Sequence, residues 1–463
     1  MTAILNPRQR GMLKALYAYR CRQKVQERQQ AHAMRLRRKR RVQQLSDWMA
    51  AGAALKRPKR ERRTIHRTDG GWRASTLNQY VEKGDDLTYS KKFRVERVNF
   101  DRMVAKLSAA GYVTDNKCRN KKHRMTAAFK VGVALYFFAH GCCEYDTVGD
   151  VSSLGERTVS QYLDQFCQGA LAVLQPIYMP STPPSAENLA RVRAEFAKRR
   201  GIANVAQAVD GTHVPFRGGP DYRNYKGWTS ILVLAWVNSF HLFVEGDVGA
   251  AGRAGDNGVL AGSWFMQQVR ADPEAWLGKD GVIAADGGAS DGGDLLLNPI
   301  ADAREVEELW YKFCHSSTRF FVEETFGRWK NRFRFLLRQI DLDHKTATIL
   351  IYVSMILHNF CTIHTVSKDN AVSHDEGTDE EWAEFFKKFA RQACPSCVRR
   401  GAMHCPHAAR NAKAKAVPKG SGGSAALREA IKNALWNDLI DSNDDDWMGA
   451  MRARANGVCR PCV

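Results

Sequence analysis

Three short β-rich runs lie close together in this chain: Val205 to Val209, Ser230 to Val237 and His241 to Asp247, with turn residues between them. They predict an antiparallel meander. A helical stretch near Asn257 to Val269 follows, then a fourth strand at Gly281 to Ala285, an irregular Gly-rich region, and a long helix from about Ser316 to Leu337. The order βββαβα predicts an α/β fold, a mixed sheet with flanking helices, in which strand ends and a helix face converge on one edge. A metal site can be built on such an edge.

Acidic residues stand where that edge is expected. Asp210 ends the first run in Ala208-Val209-Asp210-Gly211-Thr212-His213, where Gly211 permits a close backbone approach. Asp256 follows the third run in Gly255-Asp256-Asn257, and Asp286 ends the fourth in Ala284-Ala285-Asp286-Gly287-Gly288. On the long helix, Val322, Phe326, Trp329, Phe333 and Leu336 form an apolar stripe, and Glu323, Lys330 and Arg334 form a charged one beside it. Convergent carboxylates suit hard divalent cations such as Mg²⁺ or Mn²⁺, which serve phosphoryl transfer. Arg319, Lys330 and Arg334 are then candidate contacts to backbone phosphates. His213 and His315 read as structural hydrogen-bonders and stay outside the catalytic set.

Several motifs occur in order. They are Val209-Asp210-Gly211-Thr212-His213-Val214-Pro215, then Tyr225-Lys226-Gly227-Trp228-Thr229-Ser230, then the run His315 to Phe333 containing Arg319, Glu323 and Phe326-Gly327-Arg328-Trp329-Lys330. Together with Phe93-Arg94-Val95 and Leu357-His358-Asn359-Phe360-Cys361, they make residues 90 to 362 resemble the PIF/Harbinger family of DDE transposases and their domesticated relatives. The resemblance implies a ribonuclease-H-like catalytic domain, metal-dependent strand cleavage at element ends, and strand transfer by the freed 3′-hydroxyl. It puts Asp210, Asp256 and Glu323 at the catalytic triad positions, with Asp286 as a further acidic position, so all four are carried as metal ligands. It also implies a Myb-like helper protein and a homo-oligomer engaged on double-stranded DNA. The chain departs from the family at Gly255-Asp256-Asn257, where His-Asp-Ser is usual, and at Ala289, where an aromatic is expected.

Charge supports a polyanionic partner. The formal net charge is +21, and about three quarters of the surplus falls in the first seventy residues. Arg35 to Arg41 and Lys56 to Arg63 are basic clusters of the kind read by nuclear import or bound by phosphates, which points to a nuclear location. No apolar run is expected to reach the roughly 18 to 20 residues of a membrane-spanning helix. With no signal-peptide pattern at the N-terminus, the twelve cysteines are expected to be reduced thiols.

The chain therefore divides into a basic arm (1–70), a helical DNA-binding region (71–175), a linker and helix (176–200), the catalytic domain (201–365) and a polar tail (366–463). In the helical region, Phe129 to Phe138 reads as one helix and Glu156 to Leu163 as the second helix of a helix-turn-helix-like pair. Arg157, Ser160 and Gln161 would face a groove while Val159 and Leu163 pack inward. In the tail, Cys394, Cys397, Cys405 and one of His404 or His407 can close a tetrahedral Zn²⁺ site, and a rival set joins Cys459 and Cys462 with Cys394 and Cys397. Two further functional classes stay open at this stage. One is a domesticated, non-cutting chromatin or transcription factor, and the other is a purely structural basic protein.

Overall fold

The computed structural model describes residues 71–116, 124–140, 145–200, 202, 204–287, 293–300, 306–365 and 428–433. The basic arm and the Cys/His cluster of the tail lie outside the described residues.

Five strands form one mixed sheet. They are β1 (Val205–Pro215), β2 (Ser230–Val237), β3 (Phe243–Ala251), β4 (Val282–Ala284) and β5 (Leu296–Leu297), in the order β3-β2-β1-β4-β5. The meander predicted for the first three is present, since β1 pairs antiparallel with β2, and β2 with β3. β4 runs parallel to β1, and β5 parallel to β4. Every residue of β2 is buried. Its unbroken apolar run, Ile231 to Val237, is what a strand covered on both faces requires.

Among the described residues the first ten α-helices are α1 (Thr76–Lys83), α2 (Asp86–Lys92), α3 (Arg97–Ala109), α4 (Ala127–His140), α5 (Tyr145–Ser152), α6 (Glu156–Gly169), α7 (Gln175–Tyr178), α8 (Ala186–Arg200), α9 (Asp256–Gly262) and α10 (Trp264–Ala271). After these come α11 (Pro273–Leu277), α12 (Val306–Arg332) and α13 (His344–His364). Helices α9 to α11 cover one face of the sheet, where Phe265, Met266, Val269 and Trp276 pack on Val209, Leu234, Trp236 and Ile283. The other face carries α12 and α13, and α4 and α6 continue the same apolar core through Phe138, Phe166, Phe333 and Phe335.

The apolar stripe expected on the long helix is confirmed: Val322, Trp329, Phe333 and Leu336 are fully buried and Phe326 nearly so. Trp329 also donates its indole N–H to Ser354 Oγ of α13 at 2.9 Å, so the largest side chain of the stripe leaves no unpaired donor. The motif Leu357-His358-Asn359-Phe360-Cys361 has a structural explanation. The Asn359 side chain accepts from Phe243 N (2.8 Å) and donates to the carbonyls of Phe243 (2.7 Å) and Tyr178 (2.8 Å). It thereby supplies the pairing that the start of edge strand β3 would otherwise lack.

Several expectations need correction. β1 does not end at Asp210 but runs to Pro215, because the ladder to β2 continues through every residue from Ala208 to Pro215. The single helix expected at Asn257 to Val269 is two, interrupted at Ser263, whose hydroxyl caps the second by accepting from Met266 N. The short strand β5 was not foreseen, since two residues carry no periodicity. The long helix starts at Val306, earlier than expected, and ends at Arg332; Phe333 leaves helical geometry and a 3-10 turn follows. The polar stretch before Glu156 contains α5, so the partner that precedes α6 is α5 and not the Phe129–Phe138 helix. A three-residue turn joins them, with Ser153 at φ 56° and Gly149 lying against the Leu154 carbonyl, where a Cβ would stand 2.7 Å away. On α6, Val159 and Leu163 are buried while Arg157 and Gln161 are exposed. Finally, α13 is long and apolar enough to cross a membrane by length and composition, contrary to expectation, with 67% of its apolar window buried inside the fold. Its apolarity all round follows from packing on the sheet and on neighbouring helices at once.

Candidate active site

The site is built where β1 loses one neighbour. The parallel ladder between β1 and β4 ends at the pair Ala208 and Ala284. Asp210 and Asp286 each follow two residues later, so the parallel register carries them to the same level of the sheet. Beyond this point β1 pairs only with β2, and burial changes with it: Val205 to Val209 are buried, and Asp210 to His213 are half-buried.

Side chains alternate across β1, and the two faces receive different partners. Asp210 and Thr212 face α12. Arg319 on that helix donates to Asp210 Oδ2 at 2.9 Å and reaches Glu323 Oε1, one helical turn on, at 2.6 Å. One guanidinium therefore bridges the two acids. Lys330, three turns along α12 from Arg319, donates to Thr212 Oγ1 (2.7 Å) and to the His213 carbonyl (2.9 Å).

Asp256 is the first residue of α9, with Gly255 as its N-cap. Its carboxylate lies directly over Gly211: a Cβ built there would stand 2.4 Å from Asp256 Oδ1 and 2.6 Å from Oδ2. The close approach read from Asp210-Gly211 is thus made by the second acid. Any side chain at position 211 would occupy the space that Asp256 takes.

The four acids act on one another electrostatically. Burial pushes the Asp210 carboxyl up to about 6; Arg319 pulls it back down, while the charges of Glu323 and Asp256 push it further up. Asp256 is also raised, by burial and then by Asp286. Burial, reinforced by Lys226, lowers Lys330 to about 8.

Among the described residues, no three His, Cys, Asp or Glu side chains close into a ready-made metal cage. The donor chemistry nonetheless fits a hard divalent cation, because every candidate ligand is a carboxylate oxygen and the repulsion among them is what a cation relieves. In this arrangement the single positive charge of Arg319 is shared between Asp210 and Glu323 and offsets only part of their negative charge.

Of the residues read from sequence, Asp210, Asp256, Asp286, Glu323, Arg319 and Lys330 are brought together. Arg334 is not. Because α12 ends at Arg332, Arg334 turns away, and the charged groups it acts on are Arg94 and His140. His213 and His315 are hydrogen-bonders, His213 Nδ1 to Ser230 Oγ (2.9 Å) and His315 Nε2 to the Leu297 carbonyl (2.7 Å). Burial holds His315 down at about 4, so it is neutral near pH 7. The bridging role of Arg319 was missed, although its i, i+4 spacing from Glu323 was a usable signal. The thiols of Cys167, Cys314 and Cys361 are buried.

Residues 209–359 match the family model described as DDE superfamily endonuclease. The match begins one residue before Asp210 and contains all four acids together with Arg319 and Lys330. It supports a DDE transposase family for this segment, with nuclease or transposase activity and DNA as the implied substrate. DDE-type nucleases as a class use divalent metals. No curated protein and no solved structure matches the chain.

Proposed function

We propose that the chain is a metal-dependent DNA endonuclease of the PIF/Harbinger type, cutting phosphodiester bonds at element ends and transferring the freed strand. The single observation that carries this reading is the grouping of Asp210, Asp256, Asp286 and Glu323 around the open half of β1, inside the segment that matches the endonuclease model.

Asp210, Asp256 and Glu323 are the proposed catalytic carboxylates, with Asp286 as a fourth metal ligand. Divalent ions held there would activate the attacking oxygen and neutralise the leaving one. Arg319 holds Asp210 and Glu323 in place and offsets their repulsion until that charge is supplied. Lys330 holds the Thr212 hydroxyl and the β1 backbone at His213, three residues past Asp210, and brings an ammonium group to the scissile phosphate. An ammonium has three protons and only two are engaged on Thr212 and His213.

Double-stranded DNA is the proposed substrate, with Arg157 and Gln161 on the exposed side of α6 as groove contacts. The basic clusters at 35–41 and 56–63 fit nuclear import and phosphate binding. A homo-oligomer on DNA and a Myb-like helper belong to the same reading.

The test is cleavage of a DNA library containing candidate element ends, with Mg²⁺ or Mn²⁺, using intact protein, Asp210→Ala and Glu323→Ala, each checked for folding. Metal-dependent cutting by the intact chain, reduced at least about a thousandfold in both variants, is expected; that loss corresponds to about 4 kcal/mol of barrier. DNA binding without cutting, with a helper protein also supplied, would sink the nuclease reading in favour of a domesticated DNA-binding factor.

A further inference from the structure

We propose that the turn between β1 and β2 is a stacking platform for an unpaired DNA base beside the acidic edge; this rests on the nuclease reading. The turn carries Tyr225 and Trp228, which are 83% and 37% exposed. Large rings held in water forgo the stabilisation that burial gives, so a rigid scaffold that holds them there calls for a ligand.

The scaffold is Asn224, itself buried. Its Oδ1 accepts from the backbone N–H groups of Lys226 (3.0 Å) and Trp228 (3.3 Å), and its Nδ2 donates to Ser230 Oγ (3.1 Å). Ser230 in turn bonds His213 Nδ1 at 2.9 Å. Gly227, at φ +90°, takes the reversal that a side chain would resist. Both aromatic rings consequently meet the His213 ring at 5.9 Å in edge contacts.

Cations accompany the rings. Lys226 Nζ lies 5.4 Å over the Tyr225 ring, and Lys330 is bonded to the carbonyl of His213, three residues from Asp210. Aromatic faces interleaved with ammonium groups are the chemistry of single-stranded nucleic acid, the rings taking bases and the cations taking phosphates. A base within a duplex has both faces covered by its neighbours and offers only its edges. The platform therefore selects a nucleotide that is frayed or flipped next to the bond to be cut.

The experiment is fluorescence anisotropy with the full chain in EDTA, where no cutting occurs. The probes are a labelled oligothymidine of fifteen nucleotides and a duplex of the same length. Tyr225→Ala and Trp228→Ala are expected to weaken oligothymidine binding about tenfold each, with duplex binding within about twofold and Tyr225→Phe close to wild type. Wild-type oligothymidine affinity in both alanine variants, or an equal loss on the duplex, would overturn the platform. The two readings fail separately. Ring-dependent oligothymidine binding by a chain that cuts nothing removes the nuclease reading alone. Metal-dependent cutting with ring-independent binding removes the platform alone.

Discussion

The two halves of β1 belong to one strand and do opposite work. From Val205 to Val209 every residue is buried, and Ala206 and Val209 pack with Leu234, Trp236 and Ile283 against the helices of one face. From Asp210 to His213 the backbone keeps its ladder to β2 but has lost β4, and its side chains meet Arg319, Lys330 and, over Gly211, Asp256. The first half contributes stability by removing apolar surface from water. The second uses the rigidity so gained to hold charges that would otherwise repel or seek solvent. A strand losing a neighbour partway along is thus enough to turn core into site.

The largest expected test of that contrast is Asp210→Asn. Burial raises the Asp210 carboxyl from its ordinary 3.8 to about 6, so between those values the folded chain keeps a proton that the unfolded chain has released. Stability must then fall as pH rises through this window, with the full cost present above it. In metal-free protein the asparagine variant is expected to be more stable than wild type at pH 7.5 by up to roughly 3 kcal/mol, the difference closing below about pH 4. His315 runs the other way: lowered from 6.5 to about 4, it contributes stability above pH 6.5 that is lost as pH falls toward 4. Urea denaturation across pH reads both, and an Asp210→Asn variant less stable than wild type at pH 7.5 would contradict the burial argument.

Next in size is Val209→Ala, in the half assigned to stability. It is expected to lose about 2 kcal/mol of unfolding free energy while the folded fraction keeps its cleavage rate. A rate loss at unchanged stability would erase the distinction between the halves. The smallest effect comes from Gly211→Ala, where the new methyl displaces the Asp256 carboxylate. Because that carboxylate is the end of a movable side chain, stability should change by less than about 1 kcal/mol. Cleavage should fall about tenfold or more, equivalent to about 1.4 kcal/mol of barrier, and unchanged cleavage would remove Asp256 from the reaction.

Much of this was readable in the chain because the signals are local. The apolar run of β2, the buried stripe of α12, and acids next to glycine at strand ends each depend on neighbours in sequence, so periodicity and turn chemistry reveal them. Where β1 ends was not readable. Its polar second half, Asp210-Gly211-Thr212-His213, resembles a strand terminus, and only the antiparallel ladder to β2 extends it. The α5 helix was hidden for the same reason, since its polar composition resembles a loop until Val148, Gly149 and Ser152 are buried.

What the sequence by itself determined was the mixed α/β class, the antiparallel meander and the identity of the acids, because side-chain period and residue chemistry are properties of short segments. Tertiary structure alone decided which cations serve the site. Arg319, Lys330 and Arg334 share a charge and nearly share a helix, yet the helix stops at Arg332. Two of the three therefore meet β1, and the third is turned toward Arg94 and His140. Charge is written in the residue; where it acts is set by the end of a helix and the edge of a sheet, which form only when segments far apart in sequence pack together.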